Sequence, residues 1–305
     1  MAGLTFGPIT SRRFGTSLGV DLSPDIKQCN FDCVYCELKG AKPVATIDNA
    51  PLVKDVVNAV KAALEKYQDI DVITLTANGE PTLYPYLEEL VGALNTIKTT
   101  QKLLILSNGA TITNAFTCKA LQKIDIVKLS LDCVSERCFK RIDRPLKGIS
   151  VRELIQGMKA FKKSFTGEFV LEVLVVEGIN DKEEEFILLN QVINEIGPHR
   201  VDVGTIDRPP AYDVKGVSYE RLEALALMIE TIPVSVASKR VYSEAKKSFS
   251  IEELLSTLAK RPQSMEDVHQ MYDDETKKRL EKLLKEEKVT CKDVAGVTFY
   301  STRER

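Results

Sequence analysis

The sequence lacks the features that mark several specialised classes of protein. Its 42 basic and 44 acidic residues leave a net charge of -2, so the chain as a whole is not a polycation that coats nucleic acid. No apolar stretch reaches the ~18 residues of a membrane-spanning helix. The start of the chain, MAGLTFGPITSRRFG, has no basic segment followed by an apolar run. We therefore expect no secretory signal and a cytoplasmic protein.

Ligands for a zinc site are also scarce. The two histidines, His199 and His269, lie far apart in the sequence, and the chain has a single CxxC pair. A structural zinc site takes four cysteine or histidine ligands, commonly as two such pairs. The sequence therefore disfavours zinc.

The most informative feature of the sequence is its cysteines. Seven cysteines are present, and in a reducing compartment we expect none of them to form a structural disulfide. Cys29, Cys33 and Cys36 fall within one segment, CNFDCVYC. Thiolates are soft ligands that bind iron–sulfur clusters, zinc or copper(I). Three thiolates from one short loop fit a cubane 4Fe–4S cluster whose fourth iron has no protein ligand and is open to chemistry.

Apolar runs alternate with amphipathic stretches over most of the chain. The predicted strands are Leu18–Leu22, Val72–Ala77, Leu103–Leu106, Ile126–Leu131, Phe169–Val176 and Val201–Thr205. The predicted helices are Leu52–Tyr67, Tyr86–Ile97, Asn114–Gln122, Val151–Phe165, Glu183–Ile196 and Tyr219–Ile232. Six successive βα units predict an α/β fold with a parallel sheet, either a barrel or an open doubly wound sheet. A seventh run, Val234–Ala237, closes or extends the sheet, and function is expected in the loops after the strands.

The composition changes after Ala237. Residues 239–248, KRVYSEAKKS, are polar and typical of a linker. They precede three predicted helices and two β-like runs around Ala295 and Gly296, namely Ile251–Leu258, Met265–Met271, Glu275–Glu287, Lys288–Cys291 and Val297–Tyr300. This order is typical of a winged helix. We predict an α/β domain over 1–238, a linker over 239–248 and a winged-helix-like domain over 249–305.

The predicted third helix of this second domain places Lys278, Lys282 and Lys285 near one face, which could contact phosphates. Residues 249–305 nevertheless contain eleven basic and twelve acidic residues, and a reader of duplex DNA is usually more basic. The domain could instead bind protein or pack on the larger domain.

The cysteine segment carries a family resemblance. CNFDCVYC, with Tyr35 before the last cysteine, resembles the CxxxCxxC loop of radical S-adenosylmethionine (SAM) enzymes, and it follows the first predicted strand as in that family. The resemblance spans Gly15–Ala237 and implies a partial (β/α)6 barrel. It also implies that Cys29, Cys33 and Cys36 hold a 4Fe–4S cluster and that SAM is the second cofactor.

Other segments extend the resemblance to SAM binding. NGEP (Asn78–Pro81) resembles the family's GGEP motif, which contacts the amino group of SAM, with Asn78 in place of the first glycine. Glu80 can accept hydrogen bonds from an amine, and Gly79 permits close backbone approach. SNG (Ser107–Gly109) and SLD (Ser130–Asp132) stand where the family reaches the SAM carboxylate and ribose. The residues to which the resemblance gives a SAM-binding role are Tyr35, Asn78, Gly79, Glu80, Pro81, Asn108, Ser130, Asp132 and, on the adenine side, Asn180.

The resemblance also implies a reaction class. One electron, from a reducing partner such as flavodoxin or ferredoxin, cleaves SAM to methionine and a 5′-deoxyadenosyl radical. The radical abstracts hydrogen from a substrate, while the protein supplies orientation and excludes water.

Three segments narrow the resemblance. FKRIDRPL (Phe139–Leu146), TIDRPP (Thr205–Pro210) and GPITSRRFGTSLGVDL are similar to tRNA 4-demethylwyosine synthases or to their uncharacterised bacterial relatives. Those synthases bind a second cluster through upstream cysteines, whereas this chain has no cysteine before Cys29, so the wyosine reaction itself is not expected. The resemblance favours a nucleic acid substrate, a tRNA base first. A protein or peptide substrate is the alternative, and an iron–sulfur redox sensor that regulates transcription through the winged helix is a third hypothesis.

Charged loop residues are further candidates for substrate binding, and two cysteines are candidates for an auxiliary cluster. A phosphate or carboxylate of the substrate could bind residues on the predicted loops, namely Arg12, Arg13, Arg144, Asp207 and Arg208. The arginines could equally pair with acidic neighbours or face solvent. Cys133 and Cys138 could hold an auxiliary cluster, although free cysteine also packs well as a small hydrophobe, which we favour.

Overall fold

The computed structural model describes residues 3–11, 13–23, 25–236, 246–294 and 297–302. Arg12, Ala237, residues 239–245 of the predicted linker, and the predicted turn at Ala295 and Gly296 lie outside the described residues. The strands are β1 (Thr5–Ser11), β2 (Gly15–Asp21), β3 (Val72–Thr76), β4 (Lys102–Ser107), β5 (Ile126–Ser130), β6 (Glu168–Val175), β7 (Arg200–Thr205), β8 (Val234–Val236), β9 (Gln263–Ser264), β10 (Val289–Val294) and β11 (Val297–Thr302). The helices are α1 (Val53–Lys66), α2 (Leu87–Ile97), α3 (Ala115–Leu121), α4 (Glu136–Ile142), α5 (Val151–Ser164), α6 (Glu183–Ile196), α7 (Tyr219–Ala226), α8 (Ile251–Lys260), α9 (Met265–Met271) and α10 (Asp274–Lys285).

Eight of the described strands form one sheet in the order β1 to β8. Strands β2 to β8 run parallel, each beside the next along the chain, whereas β1 pairs antiparallel with β2. Residues from β1 through β7 line a single interior cavity, so the sheet is curled. Among the described residues, the edge strands β1 and β8 do not pair with each other, so the barrel is partial, as the family resemblance implies.

The predicted elements of this sheet are confirmed with small shifts at their ends. The seventh run forms β8 and extends the sheet beside β7. Helix α7 ends at Ala226 rather than Ile232, because the backbone tightens into i→i+3 hydrogen bonds from Met228 to Leu225 and from Ile229 to Ala226. Strand β1 and the two-turn helix α4 were not predicted from the sequence.

Apolar stripes on the helices pack against the sheet. Helix α1 buries Val56 and Val60, and α2 buries Leu90 and Leu94. Full burial of such side chains stabilises the fold by about 1.5–3 kcal/mol each. The core thus holds the strands in place while their carboxyl ends remain available for loops.

Residues 246–294 and 297–302 form a smaller C-terminal unit, built from α8, α9, α10 and an antiparallel sheet in the order β10-β11-β9. The three helices and the hairpin lie where the sequence predicts them, whereas β9 was not predicted. Ser250 and Ser264 open α8 and α9 with reciprocal capping boxes. The Lys247 N–H donates to the Met271 carbonyl, so chain pairing in this unit begins before Phe249.

The C-terminal unit packs on β1. Ile9 of β1 belongs to the same apolar cluster as Phe249, Leu258 and Tyr272 of the unit. The backbone N–H of Gly7 also donates to the Thr257 hydroxyl at 3.4 Å. Strand β1 therefore joins the barrel to the C-terminal unit. Among the described residues, no helix has the length and apolar character needed to cross a bilayer.

Candidate active site

A cavity of about 450 Å³ occupies the barrel interior. Lys260 and Arg261, at the end of α8, line it together with residues of the strands. Five residues that the sequence predicts for the site also line it, namely Arg13, Cys36, Asn78, Asp207 and Arg208. The cavity therefore brings together one cysteine of the cluster motif, the first residue of NGEP and three of the substrate candidates.

The cysteine loop, Gln28–Glu37, follows β2 and is held by backbone hydrogen bonds from three sides. The Gln28 N–H donates to the Asn78 carbonyl at 2.8 Å, and the Val34 N–H donates to the Ile142 carbonyl at 2.8 Å. On the third side, the Ala211 N–H donates to the Cys36 carbonyl at 2.8 Å. The loop is thus fixed between NGEP, the end of α4 and the segment after β7.

Acidic side chains of the cysteine loop pair with cations from other segments. Asp32 lies 3.3 Å from the Lys27 ammonium and 3.9 Å from the Arg144 guanidinium, and it accepts a hydrogen bond from the Tyr212 hydroxyl. Burial opposes ionisation of Asp32, but the Tyr212 hydrogen bond and the Lys27 charge hold its pKa below the usual range.

The predicted substrate arginines are engaged with acidic side chains. Arg208 lies 3.3 Å from Glu37, directly after Cys36, and is half-buried. Arg144 contacts the outer side of the cysteine loop through Asp32 and does not line the barrel cavity. Arg13 lies between β1 and β2 in the chain, and its guanidinium is 3.2 Å from the Asp202 carboxylate of β7. Their roles toward a substrate stay predictions, and Arg12 lies outside the described residues.

The thiols of Cys29, Cys33 and Cys36 are free, and the three residues are half-buried. The sulfur of Cys29 accepts hydrogen bonds from the Phe31 N–H at 3.4 Å and the Asn108 amide at 3.6 Å. Burial, with the nearby Glu80 charge, raises the pKa of Cys29 to about 12, and burial raises the pKa of Cys33 well above its usual range. Such thiols become thiolates beside a strong positive charge, which iron supplies.

The three sulfurs of the cysteine loop are not gathered around one point, as the ligands of a single ion would be. Among the described residues, one trio of possible ligand atoms lies within 4.8 Å of one another, and it is Cys133, Cys138 and Glu185. At least one pair of sulfurs among Cys29, Cys33 and Cys36 is therefore more than 4.8 Å apart. A cubane cluster binds each thiolate at a different iron, so the three cysteines fit it.

NGEP approaches the cysteine loop at a position that only glycine tolerates. Gly79 has φ +139°, and a Cβ built on it would lie 1.8 Å from the Gln28 carbonyl oxygen. The next residue, Glu80, donates its N–H to that same oxygen at 3.0 Å. Gly79 therefore permits the contact that joins the two predicted cofactor-binding segments.

The carboxylate of Glu80 is buried and joins NGEP to the end of β4. Its oxygens accept from the Ser107 hydroxyl at 2.7 Å, from the Asn108 N–H at 2.8 Å and from the Thr82 N–H at 2.9 Å. Burial raises the pKa of Glu80, although these donors oppose the shift. The carboxylate thus positions Asn108, and contact between Glu80 and the SAM amine stays a prediction.

Asp132, Asn180 and Tyr35 tie the ends of β5 and β6 to the cysteine loop. The Tyr35 hydroxyl donates to Asp132 at 2.5 Å, and the Leu174 N–H donates to the other carboxylate oxygen at 2.7 Å. Burial raises the pKa of Asp132 to about 7. The Asn180 amide donates to the Asp132 and Leu174 carbonyls and accepts from the Val176 N–H, so its polar atoms are engaged. Ser130, at the end of β5, is half-buried, and Pro81 is buried in the turn after NGEP.

Sequence reasoning missed charged residues inside the barrel. Lys128 of β5 lies 2.5 Å from Glu172 of β6 and 3.1 Å from Asp202 of β7. A signal existed, because each of these charges interrupts an otherwise apolar strand of a buried parallel sheet. Lys260, which pairs with Asp21 at the end of β2, had no comparable signal.

The expectation that no cysteine forms a disulfide is wrong for one pair. Cys133 and Cys138 are joined by a disulfide, and their Cα atoms lie 5.7 Å apart. The short turn from β5 into α4 brings the two residues together, which the residue spacing alone did not reveal. Both side chains are buried, so they also pack in the core as expected of small hydrophobes.

A count of reactive thiols tests whether this disulfide forms. Metal-free protein isolated without reductant and then denatured should react with alkylating reagent at five thiols, rising to seven after reduction. Cys133→Ser is the control, because it should give the same number before and after reduction. Intact-mass spectrometry measures both, and seven reactive thiols without reduction would contradict the disulfide.

Comparisons with known proteins agree with this geometry. A family model described as the Radical SAM superfamily matches residues 24–189, which contain the cysteine loop and NGEP. A UPF0026 protein of Helicobacter pylori (strain ATCC 700392 / 26695) is 40% identical over 300 residues, covering 97% of each chain. The chain belongs to the radical SAM superfamily.

Two solved structures share the radical SAM fold. One, titled "Structure of TYW1 with a lysine-pyruvate adduct bound", has a TM-score of 0.53 at 16% identity and covers 71% of this chain and 74% of that one. The other, Streptococcus suis SuiB bound to S-adenosylmethionine, has a TM-score of 0.54 at 19% identity and covers 70% and 49%. Identities this low show a common fold alone.

Membership confirms the expected enzyme class and cofactors. Radical SAM proteins bind a 4Fe–4S cluster and SAM, and this chain is a radical SAM enzyme. The individual site residues, the substrate and the role of the C-terminal unit stay predictions.

Proposed function

We propose that this radical SAM enzyme acts on a nucleic acid, with a tRNA base as the first candidate. Cys29, Cys33 and Cys36 would hold the cluster, which when bound supplies the electron that cleaves SAM to a 5′-deoxyadenosyl radical. SAM would be seated beside the cavity by the surrounding loop residues, namely Tyr35, Asn78, Gly79, Glu80, Pro81, Asn108, Ser130, Asp132 and Asn180.

The C-terminal unit supports a macromolecular substrate. We infer that it is a winged helix, from its order of helix, short strand, two helices and hairpin. Lys278, Lys282 and Lys285 are exposed on one side of α10, opposite the buried Leu280 and Leu283. Cations at this spacing on an exposed helix face suit contacts to phosphates.

One observation carries the proposal: the C-terminal unit reaches the barrel cavity. Lys260 and Arg261 of that unit line the same cavity as Cys36 and Asn78. A macromolecule bound by the unit would therefore be held next to the site of radical formation. The protein's own contribution would be to position the target group there and to exclude water.

The proposal predicts tRNA-dependent turnover. Protein reconstituted anaerobically with iron and sulfide, then reduced and given SAM, should form 5′-deoxyadenosine at a rate that rises with total tRNA. Cys33→Ala should lose the product, because a cluster lacking one of three thiolate ligands is not held for chemistry. Product quantified by chromatography, with iron content as a parallel readout, checks both expectations.

Other outcomes would select other functions. Product that ignores tRNA but rises with protein fractions would favour the protein or peptide alternative. An intact cluster without any product would favour the redox sensor.

A further inference from the structure

A basic surface covers the outer side of α4 and the turn after it. Arg137, Lys140 and Arg141 share one helix face because they are spaced at i, i+3 and i+4, and Arg144 and Lys147 continue it. All five side chains are exposed. These five residues are called the basic face below.

The positive charge of the basic face is largely uncompensated. Lys140 lies 4.0 Å from Glu136, and Arg144 lies 3.9 Å from Asp32, both at the limit of an ion pair. Arg137, Arg141 and Lys147 form no ion pair within the described part of the chain. A cluster of free cations therefore faces solvent at this place.

The basic face lies directly over the cysteine loop. Asp143, the residue directly after α4, contacts the Cys33 sulfur at 3.4 Å, and its carbonyl accepts from the Asp32 N–H at 3.1 Å. Two positions beyond Arg144, the Leu146 N–H donates to the Asn30 carbonyl at 2.8 Å. The backbone that carries the basic face is thus hydrogen-bonded to the segment that holds Cys33.

The basic face does not open into the barrel. A second cavity, of about 750 Å³, is lined by Lys140, Arg144 and Lys147 together with Asp32, and it shares no lining residue with the interior cavity. A substrate group bound there would be separated from Asn78 and Lys260 by the cysteine loop. An electron, unlike a substrate atom, has only to cross that loop.

We propose that the basic face docks a small acidic electron-transfer protein, which reduces the cluster from the outer side of the cysteine loop. This inference rests on the proposed function, because it assigns the entry point of the electron that SAM cleavage consumes. The reduced flavin or iron–sulfur centre of the partner is oxidised by one electron, and the cluster is reduced by one electron. No bond or proton changes place in this step.

Charge complementarity explains why such a surface is useful. Opposite charges on two proteins raise the association rate by about 10- to 1,000-fold at low salt. Transient electron-transfer complexes bury little area, so steering by charge matters more in them than apolar contact. An exposed cluster of arginine and lysine beside the predicted cluster ligand suits an acidic carrier of this kind.

Charge reversal at two of the three basic-face positions without ion pairs tests the proposal. Arg141→Glu/Lys147→Glu should weaken binding of flavodoxin to the reconstituted protein, measured at low salt by fluorescence anisotropy. It should also slow 5′-deoxyadenosine formation driven by reduced flavodoxin by about tenfold or more, while formation driven by dithionite stays within about twofold. Added salt should shrink the difference between the variant and the unaltered protein.

The matched control reverses the same number of charges elsewhere. Lys54→Glu/Lys61→Glu changes two exposed lysines on α1, which joins β2 to β3, whereas α4 follows β5. This control should behave as the unaltered protein in both assays.

The outcomes separate the docking role from the proposed function. Unchanged flavodoxin binding and unchanged flavodoxin-driven turnover in Arg141→Glu/Lys147→Glu would overturn the docking role. A variant that loses tRNA binding but keeps flavodoxin-driven turnover would assign the basic face to nucleic acid and would also overturn it. If dithionite yields no 5′-deoxyadenosine with the unaltered protein, the proposed function fails and the docking role falls with it.

Discussion

Gly79→Ala is expected to disrupt SAM binding and cluster retention together. The added Cβ would lie 1.8 Å from the Gln28 carbonyl oxygen, far inside contact distance, so NGEP must separate from the cysteine loop. The backbone at φ +139° adds strain of about 1–3 kcal/mol for any residue with a side chain. The hydrogen bond from the Glu80 N–H to Gln28 would be lost in the same movement.

The effect should be large enough to measure directly. A loss of about 3 kcal/mol corresponds to roughly a hundredfold weaker affinity. Equilibrium dialysis with labelled SAM gives the affinity, and iron analysis of the reconstituted protein gives the cluster occupancy. Both should fall, since the backbone bridge between Gln28 and Gly79 joins the two segments.

Gly92→Ala is the matched control for this substitution. Gly92 lies within α2, and a Cβ added there would meet no atom within 4 Å. Replacing a helical glycine under such conditions stabilises a protein by about 0.4–1 kcal/mol, so cofactor binding should be unchanged. Normal SAM affinity in Gly79→Ala would show that NGEP does not depend on its contact with Gln28.

Local sequence patterns predicted much of the fold because the barrel is assembled from neighbours along the chain. Each parallel strand lies beside the next one in sequence, so apolar runs and amphipathic stretches sufficed to order the sheet. Strand β1 was not predicted because its apolar side chains, Phe6 and Ile9, pack with the core of the C-terminal unit. Ile9 packs with Phe249 and Tyr272 of the C-terminal unit, which are 240 and 263 positions away and which no local pattern connects to it.

The candidate site was predictable where function demands particular residue types in a short segment. The three cysteines and NGEP met that condition. The ion-pair partners of the predicted arginines could not be predicted in this way, because they depend on the tertiary fold. Arg208 reaches Glu37 and Arg144 reaches Asp32, so both contact the cysteine loop from segments more than 100 residues away.

Lys260→Met is expected to destabilise the protein and to loosen NGEP at once. Lys260 of α8 forms a buried ion pair with Asp21, whose side chain is 2% exposed. One oxygen of Asp21 accepts from the Asn78 N–H at 2.8 Å and from the Ser23 N–H at 2.9 Å. The C-terminal unit thus fixes, through one lysine, the carboxylate that positions the first residue of NGEP.

Removal of one partner leaves the other charge buried and unpaired, which typically costs about 3–5 kcal/mol. Urea unfolding should therefore show a lower free energy of unfolding for Lys260→Met. SAM affinity should fall as well, because an unpaired Asp21 draws in water or moves and no longer fixes Asn78.

The double variant Lys260→Met/Asp21→Asn is the control that distinguishes the effect of charge from the effect of packing. Asparagine keeps an oxygen that can accept from Asn78 and Ser23 but carries no charge, so the double variant leaves no buried ion unpaired. Its free energy of unfolding and SAM affinity should recover much of what Lys260→Met loses. If the losses in the two single variants simply add, Lys260 and Asp21 are not coupled, and the C-terminal unit does not position NGEP through this pair. If they do not add, Lys260 and Asp21 are coupled, and the C-terminal unit helps to position NGEP through this pair.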